Sequence, residues 1–157
     1  MSIVLTRVDD RLIHGQVVVG WVQALGAQRI VLVNDEVNAN DWERELYRLS
    51  VPAGLAVEFA SVDEAARLVE EWGTEPLRTI LLVGDVETIV RLCGRSEGIK
   101  AVNVGGLHDG TARSQRLSYV YLSEDEARQL HTLSERGVQV TAQDVPTARA
   151  VPLDEFA

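Results

Sequence analysis

Five ionisable side chains fall within eight residues of the segment RVDDRLIH: Arg7, Asp9, Asp10, Arg11 and His14. The segment separates an apolar stretch ending at Val8 from a second apolar stretch led by Gly15 and Gln16. Free backbone N–H groups and a partial positive charge at a helix start form a ready site for a phosphoryl dianion. Gly15 allows the backbone to approach it closely, and Gln16 follows in the first turn. A histidine there is a nucleophile near neutral pH and can pass a phosphoryl group on. Arg7 and Arg11 supply planar guanidinium groups suited to phosphate oxygens. Asp9 and Asp10 would repel a phosphate directly. Their roles are therefore to pair with Arg7 or Arg11, or to hold one imidazole nitrogen while the other attacks. Loops are polar in general, so the same residues also fit a solvated salt-bridge cluster. The residues alone leave both readings open.

A second group lies downstream in NVGGLH, where Asn103, Gly105, Gly106 and His108 end an apolar run. A glycine pair lets the backbone bend close to a ligand, and it is equally an ordinary strand-to-loop turn. His108 is a candidate contact for phosphate or a partner if it shares an edge with His14. His131 reads as a surface residue of a helix, and Cys93 as a small core residue. The histidines show no metal-ligand spacing, and neither a dinucleotide-binding glycine motif nor a P-loop occurs. No metal and no cofactor are expected.

Positioning falls to alternating strands and helices. Strands are expected at Ile3–Val8, Arg29–Asn34, Leu55–Ala60, Thr79–Gly84, Lys100–Val104, Leu117–Leu122 and Val138–Gln143. Helices are expected at Gln16–Leu25, Asp41–Leu49, Val62–Trp72, Val86–Cys93 and Glu124–Arg136, with Gly26, Gly73 and Gly94 as stops. Ser61-x-x-Glu64 and Ser123-x-x-Glu126 have capping-box spacing and mark two helix starts. The fold class is α/β: an open, mostly parallel sheet with helices on both faces, forming a single domain over 1–157. In such sheets ligands bind at the strands' carboxyl ends. That singles out the loops Asp9–Gly15, Asn34–Asn40 and Gly105–Gln115. Trp21 with Val17, Val18 and Val22 makes the first helix apolar on more than one face, enough for core filling and a rim for a docking partner.

The net charge of −9 and a single lysine, Lys100, argue against nucleic acid as a partner. No apolar run reaches the length of a membrane span, the only cysteine is Cys93, and no leader is apparent, so a cytoplasmic location is expected.

The string RVDDRLIHGQV closely resembles the signature of IIB subunits in the mannose/fructose/sorbose branch of the bacterial phosphoenolpyruvate-dependent sugar phosphotransferase system. VLVNDEVNAND, VNVGGLH and GVQVTAQDVPT extend the likeness along nearly the whole chain. The resemblance implies the sorbose-type IIB fold, a phosphoryl group accepted on Nδ1 of His14 from a IIA protein, and transfer to a sugar held by membrane IIC and IID partners. It places the phosphate-stabilising arginine at Arg11 and a loop-ordering acidic residue at Asp10. The donor is expected to be a separate polypeptide. The loop DGTARSQ after His108 lacks the lysines expected there, a departure that bears on partner identity. A regulatory carrier with the same His14 chemistry but a signalling target is the alternative. A receiver-like domain phosphorylated on Asp fits poorly, because Phe59-Ala60-Ser61 and Val104-Gly105 stand where its Asp and Lys should be.

Overall fold

The computed structural model describes residues 2–157. A seven-stranded sheet with order β3-β2-β4-β1-β5-β8-β9 forms its centre. The strands are β1 (Ile3–Val8), β2 (Arg29–Val33), β3 (Ala56–Ala60), β4 (Thr79–Val83), β5 (Ala101–Val104), β8 (Gln139–Ala142) and β9 (Val151–Pro152). Every neighbouring pair is parallel except β8 with β9. The expected α/β class and mostly parallel sheet are therefore what the chain forms.

Strands β2 and β4 are buried along their whole length, as continuous runs of branched aliphatics require when both sheet faces are covered. Alternation sorts their side chains. Ile30, Leu32, Ile80 and Leu82 pack with Val17, Val18 and Trp21 on one face. Val31, Val33, Leu81 and Val83 pack on the other with Val69 and Trp72 of α4 (Val62–Thr74), Ile89 and Leu92 of α5 (Val86–Arg95), and Leu130 and Leu133 of α6 (Glu124–Glu135). Both expected capping boxes form: Ser61 accepts from the Glu64 N–H and Ser123 from the Glu126 N–H, with each glutamate side chain accepting from its cap's N–H.

Several local expectations are corrected. The strand expected at Leu117–Leu122 is a separate antiparallel hairpin, β6 (Ser114–Leu117) with β7 (Val120–Leu122), because Ser118 and Tyr119 turn the chain. Gly73 and Gly94 do not stop their helices, which continue to Thr74 and Arg95; a helical glycine weakens a helix without ending it. Gly26 does end its helix, in the left-handed conformation at φ 62°. The first helix spans Gln16–Leu25 as expected, but Gln16–Val22 is π-helical and only α1 (Gln23–Leu25) is α-helical. A short helix, α2 (Asp35–Asn38), precedes α3 (Asp41–Leu49). No helix among the described residues is long and apolar enough to cross a membrane.

Candidate active site

Strand β1 lies between β4 and β5, so the loop leaving Val8 emerges at the middle of the sheet's carboxyl edge. Backbone hydrogen bonds tie it to both neighbours: Asp9 N–H to Val83 O (2.9 Å), Gly105 N–H to Val8 O (2.7 Å) and Asp10 N–H to Gly106 O (2.9 Å). Leu12 holds a left-handed φ of 60°, a conformation costing a non-glycine residue about 1 kcal/mol or more. Its side chain fills the space above Gly84, where an added Cβ would lie 2.8 Å from Leu12 Cδ2. Ile13 is then buried and His14 stands at the rim.

Asp9, with its side chain 0% exposed, is the hub. Its Oδ2 lies 3.3 Å from Arg7 Nη2, 3.0 Å from Arg11 Nη2 and 3.4 Å from His14 Nε2. Its Oδ1 accepts from Arg11 Nε and from the Arg11 backbone N–H, both at 3.1 Å. Burial disfavours the carboxylate's charge, but the hydrogen bonds from Arg11 and the charge of Arg7 outweigh it and hold the pKa below its ordinary value. Asp9 therefore takes both roles weighed for the acidic pair: it binds the arginines, and it faces one imidazole nitrogen.

Asp10 is elsewhere. Its carboxylate reaches across to β5's loop. There Oδ2 accepts the His108 backbone N–H at 2.7 Å and Oδ1 lies 2.5 Å from His108 Nδ1. The chain turns at Asp10 and Arg11, with Leu12 N–H bonded back to Asp9 O at 3.0 Å, and the Asp10 N–H bonds to Gly106 O, which sets Asp10 beside the loop after β5. Asp10 thereby ties the two loops together, with His108 exposed beside it.

Arg7 also departs from expectation. Its guanidinium is completely buried, donating to Asn103 Oδ1, to Gln143 O (2.9 Å), to Asp144 O (3.0 Å) and to Asp9, and lying 4.9 Å from the centre of the Trp21 ring. Burial lowers its pKa, opposed by Asp9. Its side chain is 0% exposed behind these groups, so Arg7 acts as an internal counter-charge where the expectation was direct contact with phosphate. Gly105 and Gly106 leave room for the arginines. A Cβ at Gly105 would fall 2.2 Å from Arg7 Nη2, and one at Gly106 would fall 3.2 Å from Arg11 Nε.

Arg11 is 34% exposed; it forks onto Asp9 and turns Nη1 to the Gln16 side-chain oxygen at 3.0 Å. The hydrogen bond to Asp9 raises its pKa. His14 is 19% exposed. Its Nδ1 accepts the Gln16 backbone N–H at 3.3 Å, which assigns the lone pair to Nδ1 and the proton to Nε2, toward Asp9. The Nε2 contact is at ion-pair distance but is not aligned as a hydrogen bond. Burial lowers the imidazole's pKa below 6.5, opposed by Asp9 and reinforced by Arg11. The ring is thus neutral near pH 7, with its lone pair on the nitrogen nearest the helix start. Gly15 has helical φ and ψ of −52° and −42°, and nothing lies within 4 Å of where its Cβ would be. Space is open there.

The Asn34–Asn40 loop contributes no chemistry to this cluster. Asn34 and Asn40 cap α2 and α3, and Asp35 accepts the Val62 N–H and pairs with Arg91. The sequence singles out Asn103 but not its pairing with Arg7, which Gln143 also holds; neither Gln143 nor Leu12, which shapes the turn, stands out in the sequence. A polar Asn103 ending an otherwise apolar strand was the available signal.

Comparison with known proteins gives a consistent picture. The family described as PTS system sorbose subfamily IIB component matches residues 3–157. The PTS system fructose-specific EIIB component of Bacillus subtilis is 31% identical over 147 residues, spanning 94% of this chain and 90% of that protein. The crystal structure of the N-acetylgalactosamine-specific IIB component 1 from Escherichia coli superposes with TM-score 0.88 at 30% identity, covering 95% of this chain and 97% of that one. The IIB domain of the sorbose permease from Klebsiella pneumoniae superposes with TM-score 0.88 at 28% identity, covering 99% and 96%.

Proposed function

The chain belongs to the sorbose subfamily of phosphotransferase-system IIB components, and from that premise we propose that His14 Nδ1 carries the phosphoryl group. A IIB component is a phosphocarrier of sugar uptake, a sugar phosphotransferase, and the family implies a IIA donor and IIC/IID membrane partners. The observation that carries the assignment is the two-sided hold on the imidazole. The Gln16 N–H marks Nδ1 as the basic nitrogen, while buried Asp9 faces Nε2.

In the first step the Nδ1 lone pair attacks phosphorus, and the bond between phosphorus and the donor breaks with its electron pair returning to the donor. Positive charge developing on the ring is met by Asp9, and charge on the phosphoryl oxygens by Arg11 and the N–H groups of the first helical turn. In the second step a sugar hydroxyl oxygen attacks phosphorus and gives up its proton to solvent, the P–Nδ1 bond breaks, and its electron pair returns to Nδ1, leaving the imidazole neutral. The exposed part of Arg11 lets one guanidinium serve both partners in turn. The chain acts on the cytoplasmic side, where its donor is found.

The test is labelling from phosphoenolpyruvate through the general components and a cognate IIA. Wild type should acquire an acid-labile, alkali-stable phosphoryl group, and His14→Ala should acquire none. Undiminished labelling of His14→Ala would overturn the assignment.

A further inference from the structure

Two neutral amides stand behind the charge cluster that faces His14. Asn103 is only 8% exposed and lies in register with Arg7 across the β1–β5 pair. Its Oδ1 accepts from Arg7 Nη1, and its Nδ2 donates to Gln143 Oε1 at 3.4 Å. Gln143 Nε2 donates in turn to Ala148 O at 2.8 Å and to Pro146 O at 3.3 Å. Arg7 Nη1 also donates to Gln143 O, while Nη2 is shared between Asp144 O and Asp9.

This chain of bonds runs in one direction. A guanidinium only donates and a backbone carbonyl only accepts, so each side chain between them must accept on one side and donate on the other. An amide does both; a carboxylate offers no donor, and an aliphatic side chain offers neither. At the far end Pro146 lies against Gly20 of the first helix, where an added Cβ would be 3.5 Å from the Pro146 Cδ. The segment after β8 is thus fixed both to Arg7 and to the helix that follows His14. Around the imidazole, burial lowers the pKa, Asp9 raises it, and Arg11 and Arg7 lower it. Asp144 acts on both arginines and Asp10 on Arg11. Asp144 and His108, the latter held by Asp10, line with Arg11 a recess of about 320 Å³. Asn103 and Gln143 bring no charge into this group.

We propose that Asn103, backed by Gln143, is a positioning residue for phosphoryl transfer: the two amides pin the Arg7 guanidinium so that Nη2 stays on Asp9 and Asp9 stays turned to His14. The proposal rests on the reading of His14 as the phosphoryl carrier. Neither amide touches the imidazole, and both act through Arg7. Neutrality at position 103 is the essential property. A carboxylate there would draw Arg7 away from Asp9, since charged pairs outcompete neutral hydrogen bonds. Asp9 would then be less neutralised and the imidazole would sit in a more negative field. A nearby negative charge favours the imidazolium, so His14 would become more basic and lose the Nδ1 lone pair to a proton at higher pH. A carboxylate at position 143 lies one bond farther from Arg7 and acts in the same sense, more weakly.

The experiment follows the imidazole Hε1 resonance of His14 against pH in the unphosphorylated full chain, with His14→Ala assigning the signal among the three histidines. Asn103→Asp should raise the His14 pKa by about one unit, and Gln143→Glu should raise it by roughly half as much. Labelling of Asn103→Asp by a phosphorylated IIA should be several-fold slower than wild type at about pH 6.5 and return to within about twofold at about pH 8.5, because deprotonation restores the lone pair. An amide with a structural role alone would lower the denaturation midpoint and leave the titration where it is. A folded Asn103→Asp with an unmoved His14 titration, or with slowing that persists at high pH, would therefore overturn the proposal. If Asn103→Asp does not fold, Gln143→Glu, at a partly exposed side chain, decides by the same titration. The titration needs no phosphoryl donor. Absence of labelling in wild type thus counts against the carrier reading alone, and an unmoved titration against the positioning role alone.

Discussion

Two adjacent aspartates in this chain have different work, and the difference is measurable. Asp9 is fully buried against two arginines and an imidazole, so Asp9→Asn leaves the buried Arg7 charge without its partner. Breaking a buried pair in this way costs about 3–5 kcal/mol, which should appear as a lowered denaturation midpoint, and any folded fraction should label slowly at His14. Asp10→Asn removes a contact to an exposed histidine. It should cost within about 1 kcal/mol and leave labelling largely intact, as read by the same denaturation and phosphotransfer measurements. Equal losses in the two variants would show that the acidic pair acts as one unit. That an acidic residue pairs with Arg7 or Arg11, or holds the imidazole, is legible in the segment itself, because like charge keeps the aspartates off a phosphate. Which aspartate does so was not, because it depends on which side of the chain faces β5.

At the scale of elements, the loop after β1 is held by glycines whose purposes differ. Gly105→Ala would push a Cβ into the buried Arg7 guanidinium. Overpacking of that kind costs about 1–3 kcal/mol, measurable as a fall in unfolding free energy. Gly15→Ala meets no neighbour and keeps a helical backbone, so the variant should be more stable by about 0.5–1 kcal/mol. On the proposed carrier reading it also places a methyl group in the path of the phosphoryl group, and labelling should slow. Stability rising while transfer falls would separate the site from the scaffold; transfer unchanged would show that the phosphoryl group lies elsewhere. Helix starts were readable because a capping box is a local contract between two side chains three residues apart. The hairpin was not, because Leu117–Leu122 has strand composition throughout and the turn at Ser118–Tyr119 lacks glycine and proline.

For the whole molecule, the buried charge cluster links folding to pH. His14 and Asp9 both have folded-state pKa values below their ordinary ones, so at acid pH the unfolded chain binds more protons than the folded one. Their contribution is fully present above pH 6.5. The His14 share is lost as pH falls from there through its lowered folded value, and the Asp9 share is lost below 3.8. Unfolding free energy of wild type relative to His14→Gln should therefore decline as pH drops below 6.5 and then level off; a rise would mean that attraction to Asp9 outweighs burial. Local pattern alone specifies the alternation of buried strands and capped helices, the parallel sheet that follows from it, and a histidine in the loop after the first strand, since periodicity and caps are local properties. Strand order in space, not local pattern, makes Arg7 interior, sets Gly105 and Gly106 where guanidinium groups need room, and brings Asp144 to the same recess as Arg11. Those facts depend on β1 lying between β4 and β5, with residues distant in the chain brought to one edge of the sheet by strand order.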